Sequence, residues 1–157
     1  MKRLSNIKAY VNSVPPIFAA RPIDGVSETI RKLKAGDFIL GVVSSGPRQG
    51  IDGSRQHYQF LSDTHLFIHG AEDLLVLKPD PGVFDQAFAI LGQLGIHQQE
   101  TIYVGDGLND YQPCRARGLT FIAVTSGFTS KEQFFKEGLP EELILESFNQ
   151  LPKFLGR

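Results

Sequence analysis

With 157 residues, 41% of them apolar and 21% charged, the chain is long enough to bury a core and has the balance of an ordinary globular protein, so one compact domain is expected. Its 16 basic residues stand against 17 acidic ones with no run of like charge, which argues against a nucleic-acid groove or a polybasic membrane surface and leaves small-molecule chemistry. The single cysteine, Cys114, has no internal disulfide partner, and the first residues lack both a signal-peptide core and a membrane-spanning run; a reducing cytoplasm and no membrane partner are expected.

In chain order, Leu4 to Val11 reads as a short helix, and Pro15, Pro16 and Pro22 make Val14 to Pro22 an irregular lead-in. Ser27 to Ala35 alternates Ile30 and Leu33 with basic residues, an amphipathic helix closed by Gly36. Phe38 to Val43 is an apolar run, as in a parallel strand covered on both faces, and it ends in Ser44-Ser45-Gly46-Pro47. Ser54 to Leu61 reads as a helix and Leu66 to Ile68 as a short strand. A crossover from Glu72 to Pro81 holds Lys78 in a loop, since Pro79 and Pro81 stop any regular element there. Val83, Phe84, Ala87, Phe88, Ile90, Leu91 and Leu94 share one helical face that Gly95 ends.

Ile102, Tyr103 and Val104 form the next strand, which breaks at Gly105 and delivers Asp106 and Asp110 just past its carboxyl end. A helix then turns Cys114, Ala116 and Leu119 towards the core, with Gly118 closing it. Thr120 to Val124 is a strand, Lys131 to Lys136 a helix, Leu143 to Leu145 an edge strand, and about Phe148 to Leu155 a last helix weakened by Pro152. The Phe-rich tail, Phe128, Phe134, Phe135, Phe148 and Phe154, reads as core and helix packing. Strands alternating with helices at this spacing predict an α/β fold with a parallel sheet.

In such a sheet, ligands bind outside the carboxyl ends of the strands. Three strand or crossover ends carry polar groups here: Ser44-Ser45, Lys78, and Asp106 with Asp110. A hydroxyl with exposed backbone N–H groups, a cation, and carboxylates able to grip a hard divalent ion are the parts that neutralise and orient a phosphoryl group. None is specific alone. Ser-Ser-Gly-Pro also makes an ordinary turn, Lys-Pro a solvated lysine before a break, and Asn109-Asp110 a helix cap. His57, His65, His69 and His97 have no ligand spacing, and Gly105-Asp106-Gly107 lacks the glycine spacing of a dinucleotide fingerprint.

In order and spacing, these stretches resemble the haloacid dehalogenase-like (HAD) hydrolases, from about Ile23 to the C-terminus. Gly41-Val42-Val43-Ser44-Ser45 resembles that family's second motif, Leu77-Lys78-Pro79-Asp80-Pro81 the third, and Tyr103-Val104-Gly105-Asp106-Gly107-Leu108-Asn109-Asp110 the fourth. The similarity is greatest to the phosphoglycolate phosphatase-like branch, whose cap domain lies between the first two motifs. The resemblance implies a Rossmann-like parallel sheet flanked by helices and magnesium-dependent hydrolysis of a small phosphorylated metabolite. It gives Ser44 and Lys78 the catalytic roles, places the phosphate on Ser44, Ser45, Gly46 and Lys78, and the Mg²⁺ on Asp106 and Asp110.

The family's first motif, Asp-x-Asp, supplies a nucleophile and an acid, and no such pattern occurs in this sequence. In Pro22-Ile23-Asp24-Gly25 a proline stands where the nucleophile belongs, and Asp52-Gly53-Ser54 follows a loop rather than an apolar strand. The expectation is therefore a HAD-like core over 23–157, lacking its first central strand and most of the cap, with 1–22 a lead-in or cap remnant. Three remedies stay open for the strand slot: Val14 to Ala20 as a makeshift strand, a strand donated by a second chain or a dimer partner, or, the preferred reading, a chain that is part of a longer polypeptide. Alone it is expected to be inactive. The alternatives are a non-catalytic HAD-like regulatory or interaction module, and one half of a split phosphatase.

Overall fold

The computed structural model describes residues 23–57 and 65–156, which divide between Leu77 and Lys78 into two compact units. The expectations for Leu4 to Val11, for Val14 to Pro22 and for Val14 to Ala20 as a strand lie outside the described residues.

The first unit opens with α1, Val26–Ala35, which buries Thr29, Ile30 and Leu33 at the spacing of one helical face. Gly36 takes the predicted capping position, donating to Lys32 O at 3.0 Å, but the left-handed turn falls one residue later, at Asp37 (φ 62°). An aspartate tolerates that region because its short polar side chain bonds locally. Strand β1, Leu40–Val43, begins later than the apolar run predicts. It pairs in parallel with β2, His65–His69, from Leu40 opposite His65 to Val43 opposite His69. Gly41 is needed there for space: the ring of Phe67 on the paired strand lies where a Cβ would stand. Between these strands α2, Arg48–His57, starts six residues before the predicted Ser54, directly after Pro47, because Arg48 is bound by Ile68 O in β2 and by Glu72 in the turn that follows it.

In the second unit, a 3-10 turn over Pro81–Phe84 leads into α3, Asp85–Gln93, burying Val83, Phe84, Ala87 and Leu91; Leu94, assigned to the same face, is exposed where the helix ends. Strand β3, Ile102–Gly105, is followed by α4, Leu108–Arg117, then β4, Thr120–Val124, α5, Lys131–Lys136, β5, Ile144–Leu145, and α6, Leu151–Phe154. The order β3-β4-β5 is parallel throughout, with Ile102 opposite Thr120 and Ala123 opposite Ile144. Gly118 closes α4 in the left-handed conformation (φ 71°), and Leu119 N then donates back to Cys114 O at 2.9 Å, the bond pattern that satisfies last-turn carbonyls. Cys114 and Leu119 are buried as predicted, whereas Ala116 is exposed.

The α/β class and the parallel strands flanked by helices are as the alternation predicts. The Phe-rich tail is not uniformly core. Phe134 is fully buried, while Phe128 is 100% and Phe135 62% exposed, because α5 is a single short helix and only one of its adjacent aromatics faces inward.

Candidate active site

Ser44 follows β1 directly. Its N–H donates to His69 O at 2.8 Å, extending the β1–β2 ladder by one bond, and its Oγ accepts from Gly46 N at 3.0 Å. The loop thus closes on itself around the serine hydroxyl, with Ser45 exposed at its crest. Gly46 O accepts from Ala71 N at 2.9 Å, so the turn after β1 is tied to the turn after β2.

Arg48 completes that tie. Its backbone N–H donates to Glu72 Oε2 at 2.7 Å, its Nη1 to Ile68 O at 2.9 Å and to Asp73 Oδ2 at 2.8 Å, and its Nε to Asp52 Oδ2 at 3.0 Å. Burial opposes ionisation of Asp73, but the Gly70 N–H and the Arg48 guanidinium prevail and hold its carboxyl below the usual range. Asp52, one of the two look-alikes for a nucleophile, is therefore an ion-pair partner of Arg48. Asp24, the other, is exposed in the turn before α1.

In the second unit Lys78 meets Asp110. Lys78 Nζ donates to Asp110 Oδ1 at 2.6 Å, and the pair is withdrawn from solvent, with side chains 8% and 16% exposed. The sequence reading places Asp110 ahead of the helix; it lies in the first turn of α4, where its Oδ2 accepts from Gly107 N at 3.1 Å. A carboxylate there satisfies an otherwise unpaired donor and faces the positive end of the helix dipole.

The sequence reading missed Tyr103. Its hydroxyl accepts from Lys78 Nζ at 2.6 Å and lies 3.4 Å from Asp110 Oδ1, and its ring stands 5.0 Å from the ammonium. Phe84, at 5.0 Å edge to face, and Phe121, stacked at 6.3 Å, hold that ring. The one available signal was a phenol in the middle of an otherwise apolar strand, since a buried Tyr hydroxyl needs a partner.

Burial, reinforced by the Asp110 charge, pushes the Tyr103 phenol well above its ordinary range, and the Cys114 thiol is raised by the same two causes from 9.0 to about 12. The sign follows. Above pH 9 the unfolded chain releases the thiol proton that the folded chain keeps, so this contribution is full below pH 9 and lost as pH rises towards 12. Stability in urea is expected to fall between about pH 9 and 10, by up to about 1.4 kcal/mol per unit from this group, and Cys114→Ala should flatten the slope. An unchanged slope in that variant would reject the assignment.

Magnesium is the ion the sequence resemblance implies, and the residues present fit a hard divalent cation. Asp106 and Asp110 flank one turn, and among the described residues no hydrogen bond reaches the Asp106 carboxylate. Two glycines make room for Asp110: a Cβ at Gly105 would fall 2.7 Å from Asp110 Cβ, and one at Gly107 would lie 3.3 Å from Asp110 Oδ2. No group of three or more His, Cys, Asp or Glu able to hold a metal occurs among the described residues. Two carboxylates suffice for magnesium, which keeps several waters and takes substrate phosphate as ligand.

Fold and strand-end chemistry together define a parallel α/β protein with a lysine and two carboxylates around the turn after β3. The chain belongs to the haloacid dehalogenase-like hydrolase family, which matches residues 2–124. It is 30% identical over 107 residues to the phosphoglycolate phosphatase of Yersinia pestis, covering 68% of this chain and 44% of that one. A structure described as a predicted phosphatase from Clostridium acetobutylicum superposes with TM-score 0.70 at 26% identity, over 84% of this chain and 58% of that one. A HAD-superfamily hydrolase of subfamily IA from Geobacter sulfurreducens shares the fold, with TM-score 0.63 at 22% identity, over 85% and 55% of the two chains. The chain spans about half the length of the curated relatives it matches. Among the described residues no helix is long and apolar enough to cross a membrane.

Proposed function

We propose that residues 23–157 form a HAD-like core carrying the phosphate- and metal-binding groups of a magnesium-dependent phosphomonoesterase, and that this chain without an Asp-x-Asp strand binds rather than hydrolyses. The observation that carries the reading is Lys78, whose ammonium is withdrawn from solvent and set 2.6 Å from both Asp110 and the Tyr103 hydroxyl at the carboxyl end of a parallel strand. A cation so fixed costs little reorganisation when a phosphoryl group arrives.

In this reading Lys78 of the second unit is a phosphoryl-binding cation, and the Ser44 hydroxyl and Ser45 N–H are the phosphate-binding groups of the first unit; the Gly46 N–H, which the resemblance also gives to phosphate, instead donates to Ser44 Oγ and holds that hydroxyl. Asp106 and Asp110 would hold Mg²⁺, which when bound supplies charge neutralisation and orientation. The substrate is a small phosphomonoester such as the phosphoglycolate of the relatives' name. The near balance of charge and the single buried cysteine favour the cytoplasm.

Hydrolysis of an aryl phosphate with Mg²⁺ tests this, on the chain itself and on a form extended upstream in its native reading frame to include an Asp-x-Asp strand. The short chain should show no hydrolysis above background. The extended form should be active and lose on the order of a hundredfold or more on Asp106→Ala. Hydrolysis by the short chain that Asp106→Ala abolishes would reject the missing nucleophile and return Asp24 and Asp52 to consideration. The absence of Asp-x-Asp from the sequence also favours a second reading, half of a split phosphatase completed by a strand from another chain; activity restored by adding that strand as a separate polypeptide would select it. Phosphate binding without activity in any form would select a regulatory module.

A further inference from the structure

The loop between β4 and α5 is anchored at both ends. Thr125 N donates to Leu145 O at 2.9 Å, Thr129 is buried, and Ser130 caps α5, its Oγ accepting from Gln133 N at 3.3 Å while its own N–H donates to Gln133 Oε1 at 2.8 Å. Between these anchors Gly127 lies directly against Asp106. A Cβ at position 127 would stand 2.5 Å from both Cβ and Cγ of Asp106 and closer still to its Oδ2. Real Cβ contacts do not come that near, and turning the carboxylate away relieves only part of the overlap, because Asp106 Cβ is fixed by the backbone at the end of β3. The glycine is required for space.

We infer that Gly127 is a positioning residue for Asp106: its bare backbone forms the wall that limits where the carboxylate presents its oxygens. The inference rests on the reading of Asp106 as a metal ligand and adds a residue from another loop that fixes the ligand. A wall held at both ends by β5 and α5 cannot drift with a side chain, and ligand orientation is the part of a metal site that its surroundings control.

The test uses Mn²⁺ alone as the probe, with binding to the whole chain followed by electron paramagnetic resonance, and urea unfolding measured in parallel. Gly127→Ala should weaken Mn²⁺ binding by about 10–100-fold, the scale for losing a residue that orients a ligand. Ser126→Ala, one exposed position earlier in the same loop, should bind as the parent does. Parent-like binding by Gly127→Ala overturns the inference. Failure of the parent to bind Mn²⁺ defeats the metal reading instead, and the wall is then judged on stability. Gly127→Ala should lower the unfolding midpoint, and most of that loss should vanish beside Asp106→Gly, which removes the Cβ it strikes. If Gly127→Ala does not fold, recovery of folding in the double variant supports the wall. An equal loss in both backgrounds, or no recovery, overturns it.

Discussion

Lys78→Met is expected to lower the unfolding free energy by about 3–5 kcal/mol, the scale for removing one partner of a buried ion pair. The cost comes from what is left behind. Asp110 keeps its bond from Gly107 N but loses the ammonium at 2.6 Å, in a place where its side chain is only 16% exposed. Against a domain stability of about 5–15 kcal/mol, that is a large fraction. Burial is the decisive term: Lys131 and Glu141 also pair at 2.6 Å, yet their side chains are 50% and 67% exposed, and Lys131→Met should leave the urea midpoint unchanged. Lys78→Met with Asp110→Leu should recover part of the loss, since neither charge is then stranded; the remaining deficit is the lost acceptor for Gly107 N and the two lost partners of the Tyr103 hydroxyl, about 1 kcal/mol for each group. A double variant as unstable as the sum of the single ones would show that the pair is not the source of the cost.

Phe134→Ala should cost a comparable amount, about 3–5 kcal/mol, with Phe135→Ala next to it within about 0.5 kcal/mol. Phe134 is wholly buried with its ring 6.0 Å from Phe121, whose own ring lies 5.4 Å from Tyr111 and 6.3 Å from Tyr103. The close packing of aromatic rings around it leaves little room for the site to collapse, so a cavity term adds to the lost transfer energy. Phe135 is 62% exposed and loses little. Urea unfolding of both variants decides; equal effects would refute the burial pattern.

Much of the candidate site was legible before any coordinates. The alternation of apolar runs with glycine stops marked β3, β4 and α5 because strand and helix formation answer to local spacing, and Thr120–Val124 and Lys131–Lys136 fall where the sequence places them. Ser44, Lys78, Asp106 and Asp110 stood out only together, through the order and spacing of the stretches that carry them, since each alone also reads as a turn, a solvated lysine or a helix cap. Helix starts were less legible: α2 begins at Arg48, not Ser54, since contacts from residues 68 to 73 decide it.

What the sequence determined by itself is the α/β class, the order of the elements and the identity of the charged groups, all carried by short-range spacing. Only the tertiary structure decided which side chains meet. Tyr103 reaches Lys78 across 25 residues of chain, Arg48 reaches Asp73 across 25, and the backbone of Gly127 closes on Asp106 from a separate loop. Periodicity does not encode such meetings, because they depend on how β1 registers against β2 and β3 against β4, and on where the loops beyond them are anchored. The same holds for Phe134 and Phe135, identical in type and adjacent in sequence, of which the packing of a single short helix buries one and exposes the other.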